Sequence, residues 1–378
     1  MTKPVVFNRP AVGPDAVHYL TEVASSDRQS GDGPFTRRCS QLLREITGAA
    51  GVLLTPSCTH ALELAALVAG IGPGDDVIVP SFTFVSTANA FALRGAVIRF
   101  ADCDPATLTI DPASVAALVT ERTRAIVPMH YAGVGCDHEA LVAALGGRDV
   151  HIVEDNAHGL FGSRDGRPLG SRGSMSTLSF HETKNISAGE GGALVLNDPD
   201  LIIAAEIARE KGTNRSQFFR GEVDKYTWVG LGSSWLPSEY TAAVLLAALE
   251  DSTRTQQARQ RVWARYRVEL ADWATAGGVQ LPVVPAGCEQ PAHLFHLVFP
   301  VADDRERYIA WMKERGLHVV FHYVPLHSSP FGSSLGADPH GCPVSQSVSE
   351  RLVRLPLWAD LTMADVDRVV KATLAFRP

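Results

Sequence analysis

Residues 51–80 read GVLLTPSCTHALELAALVAGIGPGDDVIVP and predict one β-α-β unit. The apolar run 51–55 has the length of a strand, residues 61–70 form a helix that ends on glycine, and residues 75–80 are a second apolar run closed by proline. Neither run alternates between apolar and polar residues, which is typical of strands covered on both faces. The unit therefore predicts a parallel sheet with helices on both sides.

The same alternation continues along the chain. Further strand-like runs lie at 96–102, 124–133, 149–159, 175–181 and 191–198, and helix-like segments lie at 87–95 and 139–145. Polar residues follow these strands at their carboxyl ends, the edge at which parallel sheets bind ligands.

The last third of the chain has a different pattern. Residues 238–270 predict one long helix that leads out of the sheet, and strand-like runs at 293–301 and 318–325 flank an amphipathic helix at 304–316. We therefore expect an α/β protein of two unequal parts. They are a large, mainly parallel-sheet domain with its N-terminal segment over 1–250, and a smaller C-terminal α/β domain over 251–378.

The composition is that of an ordinary globular enzyme. Of the 378 residues, 46% are hydrophobic and 20% are charged, and the net charge of −7 argues against a nucleic-acid binder. The 6 cysteines are dispersed without a C-x-x-C pair, so we expect neither disulfides nor a metal site. Residues 1–10 show no signal-peptide pattern, and no apolar run reaches the roughly 18 residues of a membrane span. We expect a cytoplasmic protein that binds neither membrane nor nucleic acid.

Two stretches at strand ends suggest a reactive site, VEDNAHG (153–159) and SFHETKN (179–185). Alone, Asp155 could equally be a helix cap, and Lys184 a solvated loop charge. Lysines are few in this chain, however, and the glycines that follow Lys184 would let the backbone approach a ligand closely. A lysine that can lose its proton, with a carboxylate that keeps a ring nitrogen protonated, is what cofactors with a reactive aldehyde require.

The strand-to-helix turn around Ser57, Cys58 and Thr59 is a third candidate. Backbone N–H groups and the helix dipole favour an anion at such a point. Ser57 or Thr59 could instead be only an N-cap, and the two roles are compatible. Because the turn lacks the glycines of a Walker motif, its signal alone is weak.

These pieces occur in an order that resembles the DegT/DnrJ/EryC1/StrS family of sugar aminotransferases over essentially the whole chain. The resemblance extends through SFTFVSTANA (81–90), GEGGALVLND (189–198) and REKGTNRSQFFRGEVDKYTW (209–228). It implies the pyridoxal-phosphate-dependent transferase fold of type I, similar to aspartate aminotransferase. It also implies pyridoxal 5′-phosphate as cofactor, a nucleotide-linked keto-sugar and L-glutamate as substrates, and a homodimer with shared active sites.

The resemblance assigns roles around the cofactor. Lys184 is implied to carry it, Asp155 to pair with its ring nitrogen and His158 to contact its ring hydroxyl. Phe84, which would otherwise be read as core, is implied to stack on the ring. The implied phosphate contacts are Ser57, Cys58, Thr59 and Ser179. In many family members a further phosphate contact comes from the neighbouring subunit, through the asparagine of a G-x-N-x-R motif. This chain departs from that motif and has Ser234 in place of the asparagine.

Two further groups are candidates for the substrate. Lys211, Arg215 and Arg220 lie in a basic, glycine-containing stretch that suits a diphosphate, although a solvated helix end and loop is the alternative. His322, Tyr323 and His327 are expected to border the sugar pocket, and packed or surface roles stay open for two of these three residues.

Two other functions stay open. A dehydratase that removes oxygen from nucleotide sugars uses the same fold, but the relatives of that kind carry histidine where this chain has Lys184. The second is a regulator that binds the cofactor without catalysis, although no DNA-binding segment is visible in the sequence. With the aminotransferase, the galacto or gluco configuration of the product is also open.

Overall fold

The computed structural model describes residues 3–378, and its centre is a seven-stranded sheet in the order β1-β9-β8-β5-β4-β2-β3. β9 runs antiparallel to both of its neighbours, and the other strands of this sheet run parallel to one another. The strands of the protein are β1 (Gly51–Thr55), β2 (Asp76–Pro80), β3 (Val97–Ala101), β4 (Thr123–Ile126), β5 (His151–Asp155), β6 (Ser163–Arg164), β7 (Arg167–Pro168), β8 (Met175–Ser179), β9 (Gly192–Leu196), β10 (Cys288–Glu289), β11 (Phe295–Val298) and β12 (Leu352–Leu355). The predicted mainly parallel sheet is confirmed.

Helices cover both faces of this sheet and build the C-terminal part. They are α1 (Ala16–Ser25), α2 (Pro34–Thr47), α3 (Cys58–Val68), α4 (Ser86–Ala92), α5 (Pro112–Leu118), α6 (His138–Ala144), α7 (Ile202–Arg209), α8 (Arg215–Phe219), α9 (Glu239–Glu250), α10 (Ser252–Glu269), α11 (Ala271–Gly277), α12 (Ala302–Glu314), α13 (Pro330–Ser334), α14 (Pro343–Arg351) and α15 (Met363–Ala375), with short 3-10 turns at Tyr131–Gly133 and Pro199–Leu201. Within residues 3–378, no helix is both long and apolar enough to cross a membrane.

The β1–α3–β2 unit forms for the reasons that its sequence suggests. The apolar residues of β1 and β2 are buried, and the Ser57 hydroxyl caps α3 by accepting the His60 N–H at 3.2 Å. At the other end Gly70 takes the left-handed conformation, with φ of 68°, so that the chain turns back towards β2. The carboxyl ends of β1, β5 and β8 consequently lie at one edge of the sheet.

Two predictions in the C-terminal part were wrong. The segment 238–270 is two helices that meet at Asp251, because α9 packs on the central sheet while α10 enters a separate apolar core around Tyr266. The run 318–325 is not a strand. It is extended and forms isolated bridges, and Leu352–Leu355 pairs with β11 in its place. An apolar run alone could not show which of the two segments, 318–325 or 352–355, pairs with β11.

The N-terminal segment joins the C-terminal core. Val5 is buried in the cluster that also contains Tyr266 and Phe295. Its N–H donates to the Gly316 carbonyl at 2.8 Å, and its carbonyl accepts the His318 N–H at 2.9 Å. The first described residues therefore pack on the C-terminal part of the chain. The division of the chain at residue 250 stays a prediction.

Candidate active site

A cavity of about 700 Å³ opens at the edge of the sheet where β1, β5 and β8 end. It gathers ten residues that the sequence singled out, from five separate stretches of the chain. They are Ser57, Cys58, Thr59, Phe84, Asp155, His158, Ser179, Lys184, His322 and Tyr323. One side of the cavity, here called the sheet wall, consists of residues 57–59, Asp155, Ser179 and Lys184. The facing side, here called the C-terminal wall, consists of His293, residues 320–324 and Arg354.

Lys184 lies on the compact loop that joins β8 to β9. The loop is closed by hydrogen bonds from the Phe180 N–H to the Gly191 carbonyl and from the Ala188 N–H to the Phe180 carbonyl, at 2.8 and 2.9 Å. Burial lowers the pKa of Lys184 to about 8. The nearby Cys58 and Asp155 oppose this shift, and the Arg354 guanidinium adds to it. At pH 7 roughly a tenth of Lys184 is therefore the neutral amine, which is the nucleophilic and proton-accepting form.

Asp155, the last residue of β5, is buried and is fixed by two hydrogen bonds. Its Oδ2 accepts the Thr87 hydroxyl at 2.7 Å, and its Oδ1 accepts the Ala157 N–H at 3.2 Å. Thr87 is in turn within 2.9 Å of the Thr83 hydroxyl. A carboxylate held in this way offers a fixed negative charge to the cavity. Sequence reasoning did not single out Thr87, although it lies in the stretch 81–90.

The turn before α3 is shaped for an anion. The first N–H groups of a helix have no partner within it, and the positive end of the helix dipole adds to their effect. The Thr59 hydroxyl lies 2.7 Å from that of Ser86, so two hydroxyls meet at this point. Gly192 supports the turn from below, where a Cβ atom would overlap the Ser57 carbonyl group and the Cys58 nitrogen.

His158 is a neutral imidazole between the two walls. Burial is the largest of the effects that hold its pKa well below the ordinary value, and the charge of Lys184 adds to it. The Ala132 N–H donates to its Nδ1 at 3.4 Å, so the ring proton belongs on Nε2. That nitrogen lies 3.4 Å from the Tyr323 hydroxyl, and the ring is 4.1 Å from that of His293. His158 can therefore donate a hydrogen bond without carrying charge.

Several cavity residues escaped the sequence reasoning. Phe7 and Asn8 come from the N-terminal segment, and nothing in their local sequence suggests this location. His293 is held by its 2.9 Å contact with the Asn185 side chain, which follows Lys184 directly. Arg354 carried a usable signal, because a lone arginine inside the apolar run 352–357 is unusual for a buried strand.

Five predicted residues lie outside this cavity. His327 is buried against Ser81, with its Nδ1 2.6 Å from the serine hydroxyl. The other four lie in or beside the stretch 209–235, where Arg220 pairs with Glu206 and Glu222, Arg215 pairs with Glu210, and Lys211 and Ser234 lie near the start and end of the stretch. Within one chain the structure does not bring these residues to Lys184. Their binding roles stay predictions.

The model of the DegT/DnrJ/EryC1/StrS aminotransferase family matches residues 10–374. The chain belongs to this family. The enzyme is thus a transaminase of the sugar aminotransferase family, and it depends on pyridoxal 5′-phosphate.

One related protein and two solved structures show how far the likeness of this aminotransferase to known proteins extends. The spore coat polysaccharide biosynthesis protein SpsC of Bacillus subtilis (strain 168) is 30% identical over 97% of this chain and 95% of its own. The solved aminotransferase TlmJ from Streptoalloteichus hindustanus is 29% identical with a TM-score of 0.89, and covers 98% of each chain. The sugar aminotransferase CalS13 from Micromonospora echinospora is 27% identical with a TM-score of 0.89, over 98% of this chain and 99% of its own.

Proposed function

We propose that this aminotransferase moves the amino group of L-glutamate to C4 of dTDP-4-keto-6-deoxy-D-glucose. The products are a dTDP-4-amino-4,6-dideoxyhexose, of galacto or gluco configuration, and 2-oxoglutarate. One observation carries the proposal. A lysine with a pKa of about 8 shares a cavity with a fixed carboxylate and a helix start suited to phosphate.

The choice of sugar depends on local sequence. The stretches KGTNRSQFF (211–219), DKYTW (224–228), GSSWLPS (232–238) and FHYVPLH (321–327) resemble those of dTDP-4-amino-4,6-dideoxygalactose transaminase. These stretches are more specific than the motifs that surround the cofactor throughout the family. They support a 4-keto-6-deoxy sugar linked to dTDP as the acceptor.

The residues of the sheet wall, together with His158 and Phe84, fit pyridoxal phosphate. Residues 57–59 and Ser179 would hold its phosphate, Asp155 its protonated ring nitrogen and His158 its ring oxygen, while Phe84 would lie against the ring. Phe84 is 55% exposed in the single chain, so its face is available for stacking. When bound, the cofactor supplies an electron sink that stabilises negative charge on the carbon next to the transferred nitrogen.

Lys184 performs the proton transfers in this proposal. Its neutral amine takes a proton from the α-carbon of the donor and later returns one to C4 of the sugar. The lowered pKa of about 8 leaves the amine able to accept a proton near neutral pH. Asp155 keeps the ring nitrogen protonated, and the neutral His158 donates from Nε2.

We further propose a cytoplasmic homodimer in which the stretch 209–235 of one subunit serves the cavity of the other. Its cations then reach the diphosphate, and Ser234 reaches the phosphate of the cofactor. The exposed side chains of Phe219, Trp228 and Leu231, at 64%, 76% and 66%, support burial of this stretch against a second chain. Mixing Lys184→Ala with Arg220→Ala subunits tests this arrangement. Activity that exceeds that of either variant alone supports shared sites, and its absence contradicts them.

The substrate assignment is tested by incubating the enzyme with dTDP-4-keto-6-deoxy-D-glucose and L-glutamate. Mass spectrometry should detect exchange of the keto oxygen for an amino group, and NMR should then give the configuration at C4. Loss of oxygen without gain of nitrogen would identify a dehydratase. A protein that binds pyridoxal phosphate and reacts with no amino donor would be the regulator.

A further inference from the structure

Arg354 is a cation in the cavity without a matching carboxylate. It lies on β12, between the fully buried Val353 and Leu355. Its Nη2 donates to the Phe321 carbonyl at 3.0 Å, and the Phe7 ring lies 4.7 Å from its guanidinium carbon. The buried Nε has no partner. Among residues 3–378 the bond to Phe321 is the one hydrogen bond of the Arg354 side chain, and no carboxylate pairs with it.

Two fully buried arginines that lie outside this cavity have more hydrogen-bond partners, although the Nε of Arg209 is likewise unpartnered. Arg209 pairs with both carboxylate oxygens of Asp32, at 2.9 and 2.7 Å, and it also reaches the Leu54 carbonyl. Arg259 donates to the carbonyls of Ala292 and His293. A guanidinium has five N–H donors, and that of Arg354, which is partly exposed to the cavity, uses one of them within the chain, so that others can meet a ligand. Burial lowers the pKa of Arg354.

The groups around Arg354 do not compensate its charge. His296, its partner on β11, is buried, and burial followed by the guanidinium lowers the pKa of this histidine to about 3. His322 has its pKa held well below the ordinary value, first by burial and then by Arg354. The Asp155 carboxylate is already bound to Thr87 on the sheet wall. The C-terminal wall is therefore positive where it meets the cavity.

We propose that Arg354 binds the α-carboxylate of the amino donor. This rests on the proposed function, in which the donor is an α-amino acid. The planar guanidinium matches a carboxylate through two parallel hydrogen bonds. Arg354 and Lys184 line the same cavity from its two facing walls, so an α-amino acid bound there can present its carboxylate to the guanidinium and its amine to the side of Lys184. A diphosphate, with charge spread over two phosphates, suits a single cation less well than one carboxylate does.

The N-terminal segment places Phe7 against the Arg354 guanidinium. The N-terminal segment is fixed on one side by Val5, which bonds to Gly316 and His318, and on the other by Asn8, whose amide donates to the Glu182 carbonyl at 3.0 Å. Between these anchors the Phe7 ring lies against the guanidinium. The segment therefore links the C-terminal wall to the loop that carries Lys184.

Two donors that differ only in the α-carboxylate test the proposal, L-glutamate and 4-aminobutanoate. For Arg354→Met with bound cofactor, kcat/KM of the donor half-reaction should fall about 10- to 100-fold with L-glutamate, the value of a charged hydrogen bond. The rate with 4-aminobutanoate should stay within about threefold, on the same scale of effects. Arg354→Lys keeps the charge but cannot form two parallel hydrogen bonds. Its kcat/KM with L-glutamate should therefore lie between those of the wild-type enzyme and Arg354→Met. An equal loss on both donors, or no loss, overturns the proposal.

Arg351→Met is the matched control, because Arg351 is three residues away and also bonds to backbone carbonyls, those of Ser347 and Phe299. It should leave the ratio of the two donors unchanged. A second readout is calorimetry of glutarate and dTDP binding to the holoenzyme. Arg354→Met should weaken the binding of glutarate and leave that of dTDP unchanged. Weakened dTDP would instead place Arg354 at the acceptor and overturn the proposal.

These measurements separate two failures. If the wild-type enzyme reacts with L-glutamate and Arg354→Met behaves like Arg351→Met, the role proposed for Arg354 is wrong and the proposed function stands. If no donor reacts but Arg354→Met still weakens glutarate, the proposed function is wrong and Arg354 remains a carboxylate receptor. If the wild-type enzyme binds no glutarate and reacts with neither donor, both are wrong.

Discussion

The two walls of the cavity differ in whether their cation can lose its charge. Lys184, on the sheet wall, has a pKa of about 8 and faces the fixed carboxylate of Asp155. Arg354, on the C-terminal wall, is a guanidinium among neutral imidazoles. Proton transfer needs a group that changes its protonation state, and recognition of an anion needs one that does not. In the function proposed here, this difference separates chemistry from binding within one cavity.

Removing Lys184, the cation that can lose its proton, should have the largest effect. Lys184→Ala is expected to lower the transamination rate by about 10²- to 10⁴-fold, the usual loss on removing a general acid-base group. The visible absorbance of the cofactor attached to the protein should also disappear once bound amines are removed. Lys313→Ala, an exposed lysine on α12, is the control and should change neither quantity. A normal absorbance band in Lys184→Ala would contradict the role of Lys184.

The pH dependence of cofactor attachment tests whether the charge of Arg354 affects the pKa of Lys184 on the facing wall. Because the pKa of Lys184 is lowered from 10.5 to about 8, its neutral fraction rises with pH up to that value and then levels. The rate at which pyridoxal phosphate attaches to the cofactor-free enzyme should rise about tenfold per pH unit below 8 and then level off. In Arg354→Met the midpoint should move upwards, because the guanidinium no longer opposes the lysine charge. An unchanged midpoint would mean that the walls are not electrostatically coupled.

The smallest of these effects concerns the phosphate turn of the sheet wall. In Gly192→Ala the new methyl overlaps the Ser57–Cys58 peptide and must displace the turn. We expect cofactor affinity to fall by about tenfold, within the 1–3 kcal/mol of an overpacked site. The control is Gly191→Ala, whose methyl meets the Phe180 Cβ at 3.3 Å, away from the turn. Equilibrium titration with pyridoxal phosphate measures both, and equal losses would argue against a specific phosphate site.

The sheet wall was predictable because its residues directly follow apolar strands. Asp155 ends β5 and Ser179 ends β8, and parallel strands bring such ends to one edge. The C-terminal wall follows no comparable rule. Arg354 lies within a short strand whose partner the sequence did not identify, and His293 and Phe7 reach the cavity from separate segments. Local periodicity contains no information about which distant segments meet.

The stretch 209–235 shows that a sequence can also suggest binding residues without placing them in the site. Its cations were predicted to bind the substrate, yet within one chain Arg215 and Arg220 pair with nearby carboxylates outside the cavity. A basic composition predicts affinity for an anion but does not locate it.

The sequence alone determined the α/β class, the parallel sheet and the proximity of Lys184 to Asp155, because strand periodicity and strand ends are local properties. Only the tertiary structure decided that Lys184 lies where burial lowers its pKa and that Arg354 faces the same cavity without a carboxylate. Both properties depend on which groups surround a charge, and those groups come from distant parts of the chain.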